Sequence, residues 1–194
     1  MRTLEQQRRE FSKGPFLATP ISGIIAWLLV ALSGVFFSDQ VTVWMLFIAT
    51  GSIVYLALFI SKFTGENFLD RNKTKNAFDG LFFFSVAQSV MAYAIAIPFF
   101  LIDYTSLPLS VGILTGTMWL PFSWIIEHWI GIAHAIVRTV SIVVLWYVFP
   151  HLRFVAIPLA IVLIYMITLI ILNNRKKQHS YGNTNFPTDY RMKN

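Results

Sequence analysis

In a chain of 194 residues, the side chains able to carry charge or move a proton inside apolar sequence gather in one stretch. It runs from Thr115 to Thr139, TGTMWLPFSWIIEHWIGIAHAIVRT, and holds Glu127, His128, His134 and Arg138. Residues four apart share a helical face, so His134 and Arg138 are neighbours and Ser141 continues that face. An arginine keeps its proton and therefore needs an anion or hydrogen-bond acceptors. Glu127, across the preceding turn, and Asp79, at the start of an earlier apolar run, are the carboxylates that chain order offers. Two readings stay open. Arg138 snorkels, or pairs with Glu127 or Asp79 and clasps helices together; or Arg138 and His134, with the indoles of Trp119 or Trp124, line a cytoplasm-facing cavity for an anionic or amphipathic guest such as a carboxylate or a lipid phosphate.

Other chemistry finds less support. Glu127, His128 and His134 lack any recognised metal-ligand spacing, and adjacent helical residues diverge by about 100°. Neither a metal nor a cofactor is expected. His134 would respond to pH, downward from a neighbouring arginine and upward from a carboxylate. Trp119, Trp124 and Trp129 recur every five residues, which spreads them around a helix, and Trp129 suits an interfacial aromatic belt. His128, in the turn, is expected to meet water or headgroups. There is no Gly-rich phosphate loop, H-E-x-x-H or G-x-S-x-G. An enzyme would have to use Glu127 and His134 as an acid–base pair with Arg138 holding an anionic group, and nothing in the spacing requires it.

The elements that position this stretch are set by composition. Only 12% of the residues are charged, against 56% hydrophobic and 16% aromatic, whereas a soluble domain has about 25% charged. Such a surface suits lipid, and the bilayer is the expected surrounding. The absence of cysteine excludes disulfides, thiolate metal sites and covalently attached c-type haem. Apolar runs at about 15–37, 41–61, 80–102, 109–126, 131–149 and 154–172 are each read as crossing a hydrocarbon core that needs about 20 residues. The first run follows Arg8 and Arg9 as a signal peptide would, but its length and the preceding Glu5 and Glu10 favour a retained helix. In the third, Ser85, Gln88, Ser89 and Tyr93 fall largely on one side, for interhelical hydrogen bonds worth ~0.6 kcal/mol each. In the fourth, Pro121 frees the Thr117 carbonyl, and the Thr115 and Thr117 hydroxyls stand near enough to re-satisfy the backbone.

The net charge of +6 is topological and does not point to nucleic acid. Arg2, Arg8, Arg9 and Lys13 precede the first run; Lys62, Arg71, Lys73 and Lys75 lie between the second and third; Arg175, Lys176, Lys177, Arg191 and Lys193 follow the sixth. Of the 15 basic residues only Arg138 and Arg153 fall elsewhere. The positive-inside rule then puts both termini and the Glu127 turn in the cytoplasm, with Arg138 about 10 Å beyond Gly131 at 1.5 Å per residue. Residues 1–14 are expected as a cytoplasmic segment that frays more than it folds, 15–172 as the membrane domain, and 173–194 as a disordered polar tail. No alignment between the two halves supports an inverted repeat.

PLSVGILTGTMWLPFSWIIEHWIGIAHAIVRT and WYVFPHLRFVAIPLAIVLIYMITLIIL, with ATGSIVYLALFISKFTGENF in the first half, resemble a family of small six-span bacterial membrane proteins with no assigned function. The resemblance covers most of residues 10–173. It implies the span count and a bacterial inner membrane and carries no site assignments. The expectation is an all-α integral membrane protein, a bundle of six transmembrane helices with both termini cytoplasmic. Its leading functional reading is a small transporter or permeation protein, for which a homo-oligomer is one arrangement, with a substrate pocket around Arg138, His134, Glu127, Asp79, Trp119 and Trp124. A structural or regulatory protein that packs a partner, and an enzyme acting on a lipid-like substrate, are the alternatives.

Overall fold

The computed structural model describes residues 2–66, 68, 74 and 76–184, with 176–184 given by backbone alone. Among them there are helices and no strand. A short amphipathic helix, α1 (Leu4–Ser12), precedes the apolar α2 (Ala18–Phe36), α3 (Asp39–Gly51) and α4 (Ile53–Thr64). Then come α5 (Ala77–Met91), α6 (Tyr93–Ile102), a 3-10 turn (Tyr104–Ser106), α7 (Leu107–Gly116), α8 (Trp119–Ile125), α9 (Ile130–Val148) and α10 (Arg153–Thr184).

Among the described residues four helical stretches are long and apolar enough to cross a membrane: Ala18–Phe36, Ala77–Ile102, Ile130–Val148 and Arg153–Arg175. The pair α3 and α4, bent by 48° at Ser52, makes a fifth if taken as one span. The run expected at 109–126 is not among them, because the helix breaks at Thr117 and Met118 between α7 and α8. Pro121 is the physical cause: without an amide proton it cannot bond the Thr117 carbonyl, which instead accepts from Leu120 N at 3.0 Å. The Thr115 and Thr117 hydroxyls do not repair the break but turn back onto the carbonyls of Val111 and Leu114.

The first and last apolar helices form the centre. α2 packs against α10 on one side and against α3 and α4 on the other, while α9 and α7 pack on α10 and on each other. Small residues permit this approach, as at helix contacts in lipid generally. The buried face of α2 carries Ala18, Ser22, Gly23, Ala26 and Ser33, and a Cβ at Gly23 would stand 2.5 Å from the Tyr165 ring of α10. The polar side of α5 and α6 makes two of its expected interhelical contacts: Tyr93 meets Thr50 of α3 at 2.5 Å, and Gln88 reaches Thr117 at 3.4 Å. Ser85 bonds its own helix instead. On the outward sides, Leu, Ile, Val and Phe side chains of α2, α5, α6, α9 and α10 stand exposed, the arrangement that lipid contact requires.

The N-terminal segment departs from expectation. Thr3 and Gln6 form a reciprocal capping box, which satisfies two orphan donors, and α1 packs against α5 and α8. Gln7 accepts from Ala77 N at 2.9 Å, and its own carbonyl accepts from Asn76. The tail departs too, since α10 continues as helix to Thr184; the rest of the expected disorder lies outside the described residues.

Gly23 supplies the test of this centre. Gly23→Val is expected to lose about 1–3 kcal/mol of stability by overpacking against Tyr165, seen as a lower unfolding temperature in detergent. Gly51→Ala, where nothing lies within 4 Å, is expected to lose none.

Candidate functional site

Two thirds of the way along the chain, the sequence folds α9 so that its polar residues point into the molecule. His134 is 2% exposed and Arg138 is fully buried. Space for the arginine stem comes from Gly116 of α7, where a Cβ would sit 3.0 Å from Arg138 Cδ. The guanidinium donates from Nη1 to the Tyr165 hydroxyl and from Nη2 to Thr115 Oγ1, each at 3.0 Å. It also lies 5.4 Å from the centroid of the Trp27 ring, within the reach of a cation–π attraction. Among the described residues no carboxylate stands within 4.0 Å of it, and its Nε has no hydrogen-bond partner.

His134 sits one turn away, stacked on Trp119 at 4.2 Å and edge-on to Tyr165 at 4.7 Å. Its Nδ1 is 2.8 Å from Thr168 Oγ1. The one Thr168 hydroxyl proton goes to the Ile164 carbonyl, so His134 donates from Nδ1 and its Nε2 is left as an acceptor. That atom is buried without a partner, as are the indole Nε1 atoms of Trp27 and Trp119.

Of the six residues singled out in the sequence, the structure brings together Arg138, His134 and Trp119. Glu127 and Trp124 belong to a second cluster. Glu127 takes the left-handed conformation, φ 54°, in the position after a helix C-cap where glycine is usual. The amides of Glu127 and His128 close back onto the carbonyls of Trp124 and Ser123, so the strain is set by the reversal from α8 into α9. Its carboxylate pairs with Arg8 of α1 at 3.4 Å, not with Arg138. Arg8 in turn donates to the Trp124 carbonyl and lies 4.0 Å from the centroid of the Trp124 ring, filling the role of a cation at a helix C-terminus. Asp79 is in the first turn of α5 and lines a surface cavity of about 430 Å³ together with Arg2, Lys13 and Glu66. The two clasps expected of Arg138 are thus replaced by neutral hydroxyls.

A second cavity, of about 110 Å³, reaches the buried cluster from the side. Its wall includes Thr115 and Tyr165, the two residues that hold the guanidinium, although neither Arg138 nor His134 itself lines it. No charged residue lines it among those described. Among the described residues there is also no group of three side chains placed to hold a metal.

Tyr165, Thr168, Trp27 and Arg8 were not singled out by the sequence. Tyr165 and Thr168 are three apart in an otherwise apolar helix, and that spacing is the signal that identifies a face turned to a polar partner.

The turn itself carries a testable pH response. His128 Nδ1 accepts from Ile130 N at 3.2 Å, satisfying an orphan donor at the start of α9. Burial, and then the Arg175 guanidinium, hold the imidazole below its ordinary 6.5. The folded chain therefore keeps it neutral while the unfolded chain takes a proton near that value. Stability from this group is complete above 6.5 and falls as pH drops through and below it. Thermal unfolding in detergent at stepped pH is expected to show this slope in the wild type and a shallower one in His128→Asn, which retains an acceptor; His128→Ala is expected to lose about 1 kcal/mol at neutral pH.

No curated protein and no solved structure matches the chain. Residues 4–175 match the model of a family of unknown function, DUF7010, a match that takes in every helix from α1 to α9, the apolar part of α10 and both polar clusters. With four or five candidate membrane helices among its described residues, the chain belongs to this family of unknown function.

Proposed function

We propose that the protein is a small transporter or permeation protein that takes an anionic or amphipathic small molecule toward Arg138 from the cytoplasmic side. In this reading the bent pair α3 and α4 makes one pass and the broken pair α7 and α8 another, which gives six spans with both termini in the cytoplasm, in agreement with the distribution of Lys and Arg.

The observation that carries the reading is the buried guanidinium with neutral partners. An arginine at the centre of a membrane helix costs ~2.5–3.5 kcal/mol even on the mildest insertion scales. A structural clasp would offset this with a carboxylate. Arg138 has hydroxyls instead, so its charge remains available to a guest. Tyr165 and Thr115 connect that charge to the 110 Å³ cavity, and the indole of Trp119 holds His134 in place beside it. Glu127, Asp79 and Trp124 then shape the cytoplasmic rim, with Glu127 joining α1 to the turn.

Reconstitution in liposomes tests this. Saturable uptake of labelled short monocarboxylates or phosphate is expected above that of protein-free vesicles. Arg138→Met, similar in length and uncharged, is expected to lower it about tenfold or more, the equivalent of 1.4 kcal/mol, while Arg138→Lys retains part of it. Absence of uptake across an anion panel in the wild type, or undiminished uptake in Arg138→Met, would sink the proposal.

A further inference from the structure

The 110 Å³ cavity has a position that points to a particular guest and a particular way in. Although α4 and α5 follow each other in the chain, they do not form a packed pair: α4 lies on α2 and α3, and α5 on α1, α7 and α8. The cavity lies between them. Ala57 and Leu58 form one wall, and Val86 and Val90 the other. Val90 is 57% exposed, so the mouth is on the apolar outer surface, while Tyr165 at the floor is 4% exposed.

Among the described residues the floor offers donors and no negative charge. Tyr165 accepts from Arg138, and among the described residues its own proton has no acceptor. A neighbouring cation makes that phenol a stronger donor. Ser89, in the same wall, has a buried hydroxyl without a partner. An apolar cleft that opens sideways and ends in two donors backed by an unneutralised guanidinium fits an apolar chain with an anionic head.

At about 30 Å³ per water molecule, the volume accommodates a carboxylate and its first few methylenes, so the rest of the chain must stay in the bilayer. From these observations we infer that the protein binds a single-chain amphiphile with a carboxylate head, admitted from the membrane between α4 and α5, the head resting on Tyr165 and Ser89 with Arg138 behind. This rests on the proposed role of Arg138 as an anion partner; it names the ligand class and, for that ligand, replaces the approach from the cytoplasm with a lateral one.

The test uses the full chain purified in nanodiscs, with tritiated palmitate as probe and labelled butyrate as the short soluble control. Saturable palmitate binding is expected, weakened about tenfold, or 1.4 kcal/mol, in both Arg138→Met and Val90→Trp, with Val144→Trp, on the exposed face of α9, like the wild type. An unfolding temperature unchanged from the wild type shows that Val90→Trp is folded. A diazirine-bearing palmitate should label peptides spanning 53–58 and 82–90. If butyrate is handled in an Arg138-dependent way but palmitate does not bind, or binds equally to Val90→Trp, the lateral route is wrong and the anion reading stands. Equal competition by a zwitterionic lysophospholipid, or labelling confined to the outer faces of α9 and α10, also overturns the inference. Failure of both palmitate and butyrate overturns the two readings together.

Discussion

Arg138 places a fixed positive charge in the interior with no carboxylate beside it among the described residues, and the packing of four helices is arranged around that fact. The guanidinium is fully buried, its stem runs past Gly116 of α7, and its donors end on Thr115 of α7 and Tyr165 of α10. Tyr165 reaches it because Gly23 of α2 leaves room for the ring. Trp27 of the same helix supplies a π face. Removing any of these leaves the others holding a charge in a low-dielectric interior, where an unpaired charge is most costly. The crossing of α2 and α10 and the seating of α9 are therefore one problem with one solution.

A separate set of charges does the clasping. Arg8, Glu127 and the Trp124 carbonyl tie α1 to the end of α8, Arg175 reaches the Ser12 carbonyl, and Glu66 accepts from Leu17 N and Ala18 N at 2.7 and 2.9 Å. An anion at the N-terminus of α2 and a cation at the C-terminus of α8 both follow the helix dipole. On the opposite side Arg153 joins Trp146 to Thr105, and Asp39 accepts from Tyr104, whose phenol is raised above its ordinary 10.0 chiefly by that bond and by the Asp39 charge. Charge at the ends is thus used for closure, and that division frees the buried guanidinium from the task.

Much of the architecture was legible from apolar run lengths, because a helix in lipid must bond all of its own backbone and so announces itself over about 20 residues. What was less legible has physical reasons. The break between α7 and α8 depends on one proline and on where two hydroxyls turn, which composition does not encode. α1 holds because of contacts from Asn76 and Ala77, and sequence gives no view of such distant partners. At the site, the i, i+4 spacing of His134 and Arg138 was readable, as was the proximity of Trp119. The pairing of Glu127 was not: the left-handed turn at that residue directs it to α1, and φ at a non-glycine position is decided by the reversal around it. Tyr165 and Thr168 were visible only as two polar residues in an apolar helix, a weak mark until a buried partner is known.

The cavity marks a departure from packing for stability alone. A core built for stability alone would fill the space beside Tyr165 and give its hydroxyl proton an acceptor, since each unsatisfied buried polar group costs about 1–3 kcal/mol. Among the described residues Ser89 keeps a buried hydroxyl without a partner, and the gap between α4 and α5 leads to it and to the Tyr165 and Thr115 hydroxyls in front of the cation. In the proposed reading an anionic head placed there would accept from Ser89 and Tyr165, so that occupancy and internal satisfaction would be coupled.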